Sequence, residues 1–328
     1  MLSFIYITCR KDPKIEWFID SLYNQVMDEG FDLSKIQIVI VDYELQYDEY
    51  RRELFNQIIR GRFEYVHVEP KPSLIQGKHK VTSVNYFAAS IPRNTGICYA
   101  KYNYLLFIDD LGVLYPNSFK YMLEYAYKNM VVGFSYKKVY DLSVDNGMIT
   151  KCREHGGGID SRIKYFDKDL NKISGTSLFG YSASPLECIL KVNGYDEIHS
   201  TLGGEDYNYG IRLEKTGTPI YYSKKVLFYE SEDFADQGNV FIRRDPLLSD
   251  ENYKNIMKKY NVVKRWDPNG RKDLSHLLLD LLTRDKYWAE GNDYNLKELR
   301  EKIQNGGLFN QNFDVNMKLI DGICVKDL

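Results

Sequence analysis

The sequence is poor in cysteine, in long apolar runs and in net charge. Its 328 residues include five widely spaced cysteines with no CxxC pair, which argues against a disulfide framework or a zinc site and fits a reducing compartment. No apolar run reaches the ~18 residues of a membrane span. The formal net charge is −2, which argues against a surface built to coat nucleic acid.

Two nucleotide-binding motifs and a leader are also missing. There is no GxxxxGK[ST] loop, which disfavours a P-loop kinase or ATPase. There is no GxGxxG after the first apolar run, which weakens a dinucleotide-dependent dehydrogenase. The opening "MLSFIYITCRKDP" carries no basic leader, so we expect a buried first strand and a cytoplasmic protein.

The order of apolar patterns predicts an α/β protein. β-branched runs at 2–8, 37–43 and 63–69 alternate with helical periodicities at 14–26 and 49–60, as in a doubly wound sheet. Further predicted elements follow: a helical region interrupted at Pro92 (83–100), a strand (102–110), a helix (117–129), strands (130–140 and 218–233), and a loop or hairpin over 145–162. Composition shifts near residue 245. We therefore expect a first domain at 1–245 and a helical C-terminal extension at 246–328.

Acids stand where two predicted strands end. Asp42 closes "IQIVIVD", and Asp109 and Asp110 close "YLLFIDD". In open α/β sheets ligands bind beyond the carboxyl ends of the strands, and a buried carboxylate is costly unless it is paired. Two acids at one cleft suit Mg²⁺ or Mn²⁺ beside a diphosphate. The plainer alternative is that these acids open loops or cap helices.

A second acidic pair lies in "STLGGEDYNYGIRLEKTG" (200–217). Glu205 and Asp206 follow two glycines and open an amphipathic helical pattern. Helix capping explains such a pair, because acids are favoured in the first turn of a helix. Catalysis is the alternative, and the two roles are compatible.

Three segments taken in order resemble one family. "AASIPRNTGICYAKYNYLLFIDD" (88–110), "FGYSASPLECILKVNGYDE" (179–197) and "LGGEDYNYGIRLEKTG" (202–217) resemble the RNxG–DxD, acceptor-side and GGED segments of GT-A-fold nucleotide-sugar glycosyltransferases of the family-2 type. The GGED segment is also similar to that of galactosyltransferase-like and chondroitin-polymerase-like enzymes. The resemblance spans roughly residues 1–235 and implies a Rossmann-like mixed sheet flanked by helices.

The resemblance implies roles for the donor side of the site. Asp42 is expected at the nucleoside, and Arg93 and Asn94 are expected near the nucleotide and its phosphates. Asp109 and Asp110 occupy the metal-binding region.

It also implies roles for the segment after the two glycines. Glu205 is expected to bind a sugar hydroxyl and Asp206 to act as the catalytic base. Gly203 and Gly204 would let the backbone approach the sugar, since neither has a Cβ.

The sequence departs from the family pattern at two metal-binding positions. Leu111 stands where a DxD motif has its second acid, and a leucine cannot bind a metal. The late strand "KKVLFYESED" carries no histidine, so Glu230 is the candidate replacement ligand.

The resemblance implies transfer of a sugar, with inversion, from a donor of the UDP-sugar type to an acceptor hydroxyl, with Mn²⁺ or Mg²⁺ as cofactor. The acceptor is left open among a glycan, a protein, a lipid-linked sugar and a modified base in DNA. A degenerate protein that binds nucleotide or glycan without turnover is the main alternative. A sugar nucleotidyltransferase is disfavoured, because "ITCRKDP" lacks the glycines of that class.

Overall fold

The structure is a computed structural model. It describes residues 1–48, 50–70, 87–192, 194–195 and 204–233, together with two short strands at 317–320 and 323–326.

Strands and helices alternate through the first half of the described chain. The strands are β1 (Leu2–Thr8), β2 (Ile36–Asp42), β3 (Glu64–Val68), β4 (Tyr104–Asp109), β5 (Gly112–Leu114), β6 (Val131–Asp145), β7 (Met148–Ile159), β8 (Leu170–Ile173), β9 (Ser182–Pro185), β10 (Ile220–Ser231), β11 (Met317–Ile320) and β12 (Ile323–Lys326). The α-helices are α1 (Ile15–Asp28), α2 (Arg51–Ile59), α3 (Ser90–Tyr99), α4 (Ser118–Tyr127), α5 (Arg162–Tyr165), α6 (Leu186–Lys191) and α7 (Glu205–Lys215). Short 3₁₀ turns lie at Leu33–Lys35, Tyr43–Gln46 and Gly175–Ser177.

One mixed sheet forms the centre of the molecule. Its strand order is β3-β2-β1-β4-β9-β6-β10-β5, with β7 paired to β6 and β8 paired to β10. The strands β3, β2, β1 and β4 are parallel, as βαβ crossovers require, and β9 runs antiparallel to both β4 and β6. The parallel block therefore brings the ends of β1, β2 and β4 to one edge.

Strands β1, β2 and β4 are buried on both faces, which explains why they read as continuous apolar runs. Along β1, Phe4 and Tyr6 pack with helices α1, α2 and α4, whereas Ile5 and Ile7 pack with α3, α6 and α7. The period of two along a strand divides these neighbours between two layers of core. Within the described ranges, no helix combines the length and apolar character needed to cross a membrane.

The structure confirms the predicted α/β class. Of the two alternatives for 145–162, a loop or a hairpin, the structure has the hairpin, because β7 pairs antiparallel with β6. Pro92 does not interrupt α3: it lies in the first turn, where its missing N–H has no intrahelical partner to lose. The expected part of that helix at 83–86 lies outside the described residues.

The proposed boundary near 245 and the helices expected at 249–261, 272–283 and 295–305 lie outside the described residues, so the two-domain division stays a prediction. Within the predicted extension the structure describes one antiparallel pair, β11 with β12. The sequence analysis did not predict this pair.

Gly96 is a position where α3 packs tightly against the sheet. A Cβ there would overlap the Ile5 side chain on β1. Gly96→Ala is expected to lower the free energy of unfolding by about 1–3 kcal/mol, because overpacking exceeds the gain in helix propensity. Chemical denaturation measures the difference. The matched control is Gly156→Ala, since nothing lies within 4 Å of a Cβ at Gly156. Equal stability of the two variants would contradict this packing.

Candidate active site

A pocket of about 270 Å³ opens where the end of β4 faces the start of α7. Strands β6 and β10 and the segment before β9 complete its wall. The lining residues are Arg93, Asp109, Tyr136, Lys138, Phe179, Gly180, Tyr181, Glu205, Asp206, Tyr207 and Glu230. Five predicted site residues therefore share one hollow: Arg93, Asp109, Glu205, Asp206 and Glu230.

Arg93 joins the two halves of this pocket. Its NH2 donates to Asp109 Oδ1 at 3.0 Å, and its NH1 donates to Glu205 Oε1 at 2.8 Å. The Arg93 side chain is 3% exposed, whereas that of Asp109 is 33% exposed. A nearly buried guanidinium needs paired anions, and here they come from the end of β4 and the start of α7.

The start of α7 places both acids at the pocket. Gly204 is the N-cap residue, with φ of 89°, a left-handed conformation that a glycine adopts without strain. Glu205 and Asp206 therefore occupy the first turn, where the helix dipole favours negative charge. Asp206 Oδ1 accepts the Tyr207 N–H at 2.8 Å, so this carboxylate also satisfies a helix-end donor. Gly203 lies outside the described residues.

Asp206 is a stronger base than an ordinary aspartate. Its burial and the neighbouring Glu205 carboxylate raise the pKa of Asp206 to about 7, and Arg93 opposes that rise. A carboxylate with a pKa near neutrality accepts a proton more readily than one with a pKa near 4.

Asn94 does not line the pocket but holds Tyr195, whose ring contacts Arg93. Its Nδ2 donates to the Tyr195 carbonyl, and its Oδ1 accepts the Tyr195 N–H, both at 2.8 Å. The Tyr195 ring lies under the Arg93 guanidinium at 5.3 Å. Asn94 is fully buried and supports Tyr195 in this structure, and its expected place near the nucleotide stays a prediction.

Asp42 is likewise buried and paired. It has no exposed surface, forms an ion pair with Arg51, and lies 3.0 Å from His67 Nε2. Arg51 in turn donates to the carbonyls of Arg10 and Lys11, which fixes the loop after β1. A direct contact between Asp42 and a nucleoside stays a prediction, and this buried arrangement does not favour it.

Asp110 does not line the pocket. Its carboxylate accepts the Thr8 hydroxyl at 2.7 Å and forms an ion pair with Arg10. Leu111 then turns into the core, 1% exposed, with φ of 60°. Of the two strand-end acids, Asp109 thus faces the pocket, and Asp110 ties β4 to the loop after β1.

The donor set of the pocket fits a divalent cation. Mg²⁺ and similar hard ions are often held by one or two carboxylates, with substrate phosphates and water as the other ligands. Asp109 and Glu230 supply two carboxylates to one pocket. Four carboxylates and two cations, Arg93 and Lys138, line that pocket, which leaves an excess of negative charge. In the part of the chain that the structure describes, no three His, Cys, Asp or Glu side chains gather as a complete metal site.

The sequence analysis missed most of the aromatic wall and one cation. Phe179 and Tyr207 meet edge to face with ring centroids 5.3 Å apart. Tyr181 donates to Glu230 Oε2 at 3.2 Å. Gly180 leaves room for Asp109, since a Cβ there would lie 2.6 Å from Asp109 Oδ2. Phe179, Gly180 and Tyr181 stand in a segment already singled out, but Lys138 carries no motif signal.

Comparisons with known proteins find likeness in structure and not in sequence. No family model matches this chain, and no curated protein sequence matches it. The crystal structure of S. aureus TarS 1–349 in complex with UDP-GlcNAc has a TM-score of 0.52 and 13% identity, covering 99% of this chain and 96% of that chain. TarS 1–349 in complex with UDP has a TM-score of 0.49 and 12% identity, over 99% and 96%. GalNAc-T7 with UDP, GalNAc and Mn²⁺ has a TM-score of 0.48 and 12% identity, over 95% of this chain and 58% of that chain.

At such identities the likeness to TarS shows the fold alone. Together with the mixed sheet and its flanking helices, it confirms the GT-A fold that the sequence resemblance implied.

Replacing Glu205 by glutamine removes the negative charge beside Asp206 and leaves the Arg93 charge free to stabilise the Asp206 carboxylate. Glu205→Gln is therefore expected to lower the pKa of Asp206 by about one pH unit. A ¹³C NMR titration of the carboxyl carbons measures this. Glu214→Gln on the same helix is the control, because Glu214 accepts the Gly175 N–H at 2.9 Å, outside the pocket. A midpoint for Asp206 that Glu205→Gln leaves unchanged would contradict the coupling.

Proposed function

We propose that this protein is a glycosyltransferase that moves a sugar from a nucleoside-diphosphate sugar to an acceptor hydroxyl. The observation that carries the proposal is the Arg93 bridge, which unites the strand-end Asp109 with the Glu205–Asp206 pair in one pocket. Fold-level likeness to TarS, a protein crystallised with UDP-GlcNAc, supports a donor of the UDP-sugar type.

Asp206 is the base in this proposal. It takes the proton from the acceptor hydroxyl as that oxygen forms its bond to the anomeric carbon. The bond from the anomeric carbon to the diphosphate oxygen breaks on the opposite side, so the configuration inverts. A pKa of about 7 leaves much of Asp206 ionised near neutral pH and makes it a stronger base than an unperturbed aspartate. General-base assistance of this kind contributes about 10²–10⁴-fold in rate.

Glu205 positions the sugar in this proposal. Arg93 holds one of its carboxylate oxygens, so the rotamer of Glu205 is fixed before any ligand arrives. A carboxylate fixed in this way accepts hydrogen bonds from sugar hydroxyls without further ordering cost. Arg93 thereby sets the orientation of the residue next to the base.

Asp109 and Glu230 are the residues that would hold Mn²⁺ or Mg²⁺. Bound there, the ion would neutralise charge that develops on the departing diphosphate. The excess of carboxylates in the pocket makes an anionic donor unfavourable without such a cation. Lys138 and Arg93 supply the positive charge that the chain itself contributes.

A binding protein without turnover is the second candidate. Leu111 favours it, because the residue at the usual position of a second metal-binding acid is apolar and packs into the core. The two candidates differ in one outcome, which is whether a bound donor is consumed.

Asp206→Asn tests the choice between these candidates. It keeps the shape of the side chain but cannot accept the proton, so turnover is expected to fall at least ~10²-fold while donor binding persists. Release of nucleoside diphosphate from a panel of UDP-sugars with Mn²⁺ measures turnover, and calorimetry measures binding. Asp169→Asn, at an exposed ion pair with Lys225, is the control. Donor binding with no turnover by the unaltered protein would support the binding protein, and full activity of Asp206→Asn would refute the assigned base.

Substitutions at Asp109 and Glu230 are expected to change the metal requirement, whereas a substitution at Asp110 is expected to change stability. Asp109→Asn and Glu230→Gln should each raise the Mn²⁺ concentration for half-maximal turnover by ~10-fold or more, because each removes a proposed ligand. Asp110→Asn should instead lower the free energy of unfolding by about 1–3 kcal/mol, because it weakens a buried pair with Arg10. Metal titration of turnover and chemical denaturation measure the two effects. The assignment fails if Asp110→Asn alone changes the metal requirement.

A further inference from the structure

Lys138 lies opposite the proposed metal ligand Glu230. The parallel pairing of β6 with β10 sets Lys138 beside Glu230 in register. The Lys138 Nζ is 3.2 Å from Glu230 Oε1 and 2.7 Å from Glu232 Oε1. Glu232 follows the end of β10, two residues after Glu230, and both carboxylates lie within reach of Lys138 Nζ. One ammonium group therefore serves two carboxylates.

Both carboxylate oxygens of Glu230 contact other side chains. Lys138 holds one of its oxygens, and the Tyr181 hydroxyl donates to the other. A cation that approaches Glu230 must therefore displace or outcompete the ammonium group that is already there.

We propose that the Lys138 ammonium group takes the place of the divalent cation when no metal is bound. It then neutralises Glu230, and it moves fully to Glu232 when the metal binds. This inference rests on the proposed function, since it concerns the metal of the same pocket. Lys138 and the metal thus compete for one carboxylate, and the chain sets its own metal affinity through this competition.

Lys138 can release Glu230 at little cost in free energy. Its shorter contact is already with Glu232, so releasing Glu230 does not leave the ammonium group unpaired. The Lys138 side chain is 37% exposed and flexible, which lets the ammonium group move without leaving water. Glu232 itself lies outside the pocket lining and is 25% exposed.

The test is the affinity of the ligand-free protein for Mn²⁺, measured by electron paramagnetic resonance of the free ion. Lys138→Met removes the competing charge and keeps a side chain of similar length. Mn²⁺ is therefore expected to bind more tightly, by about fivefold or more. Lys137→Met is the matched control. Lys137 neighbours Tyr229 in register, lies 5.4 Å from the Tyr229 ring centre, and makes the same change in net charge. Its Mn²⁺ affinity should stay within about twofold of the unaltered protein.

Glu232→Gln supplies a second measurement. With no carboxylate at 232 to receive it, Lys138 is held on Glu230, and Mn²⁺ should bind more weakly. Part of that loss is the missing charge itself, so the same change is also made in Lys138→Met, where the loss should be smaller. Equal losses in both backgrounds would show no coupling through Lys138 and would overturn the proposal.

The failure of this inference is distinct from the failure of the proposed function. Lys138→Met and Lys137→Met with equal Mn²⁺ affinities overturn the competition, even where the unaltered protein consumes a UDP-sugar. Absence of Mn²⁺ binding by the unaltered protein and by Lys138→Met overturns it as well. A protein that consumes no donor refutes the transferase, while the Mn²⁺ affinities still decide the role of Lys138. Thermal unfolding of each variant confirms that the folded protein is measured.

Discussion

The Arg93 guanidinium is the group on which the pocket depends. It is nearly buried, and its two carboxylate partners lie 16 and 112 residues further along the chain. Removing such a cation from water costs several kcal/mol, which these ion pairs must offset. The fold therefore reaches its low free energy when the end of β4 and the start of α7 face each other. That same requirement places Asp206 and Asp109 in one pocket.

A shortage of positive charge determines the chemistry of this pocket. Four carboxylates and two cationic side chains line it, and the pKa of Asp206 is raised first by desolvation and then by the neighbouring Glu205 carboxylate. Positive charge that enters from outside would relieve this repulsion. In the proposed transfer, Asp206 would take a proton from the acceptor, and a cation held by the carboxylates would balance the charge of the departing diphosphate.

Several residues of the family-like segments support the pocket rather than line it. In "RNTG", Arg93 faces the pocket, Asn94 clamps Tyr195 beneath Arg93, and Gly96 lets α3 approach Ile5. A motif of four residues thus combines one pocket residue with two packing positions. A sequence pattern marks all of them equally, because it records which residues occur and not which way they face.

The sequence by itself determined the layered α/β fold. Apolar runs and helical periodicity depend on local spacing, and they predicted the bounds of β1 and the approximate bounds of β2, β4 and α4. It also placed Asp109, Glu205 and Asp206 among the candidate site residues, since acids at strand ends and helix starts carry a local signal. Glu230 became a candidate only through the family resemblance.

The tertiary structure alone decided which acids share the pocket. Asp109 and Asp110 are adjacent, yet the first faces the pocket with Arg93 and the second faces Thr8 and Arg10. Asp42 ends a strand like Asp109, yet Arg51 buries it in an ion pair. Lys138 reaches Glu230 because β6 and β10, which are far apart in the sequence, pair in a register that sets these two residues side by side. Which strands become neighbours, and which side chains meet at their ends, depends on contacts between segments that are far apart in the sequence.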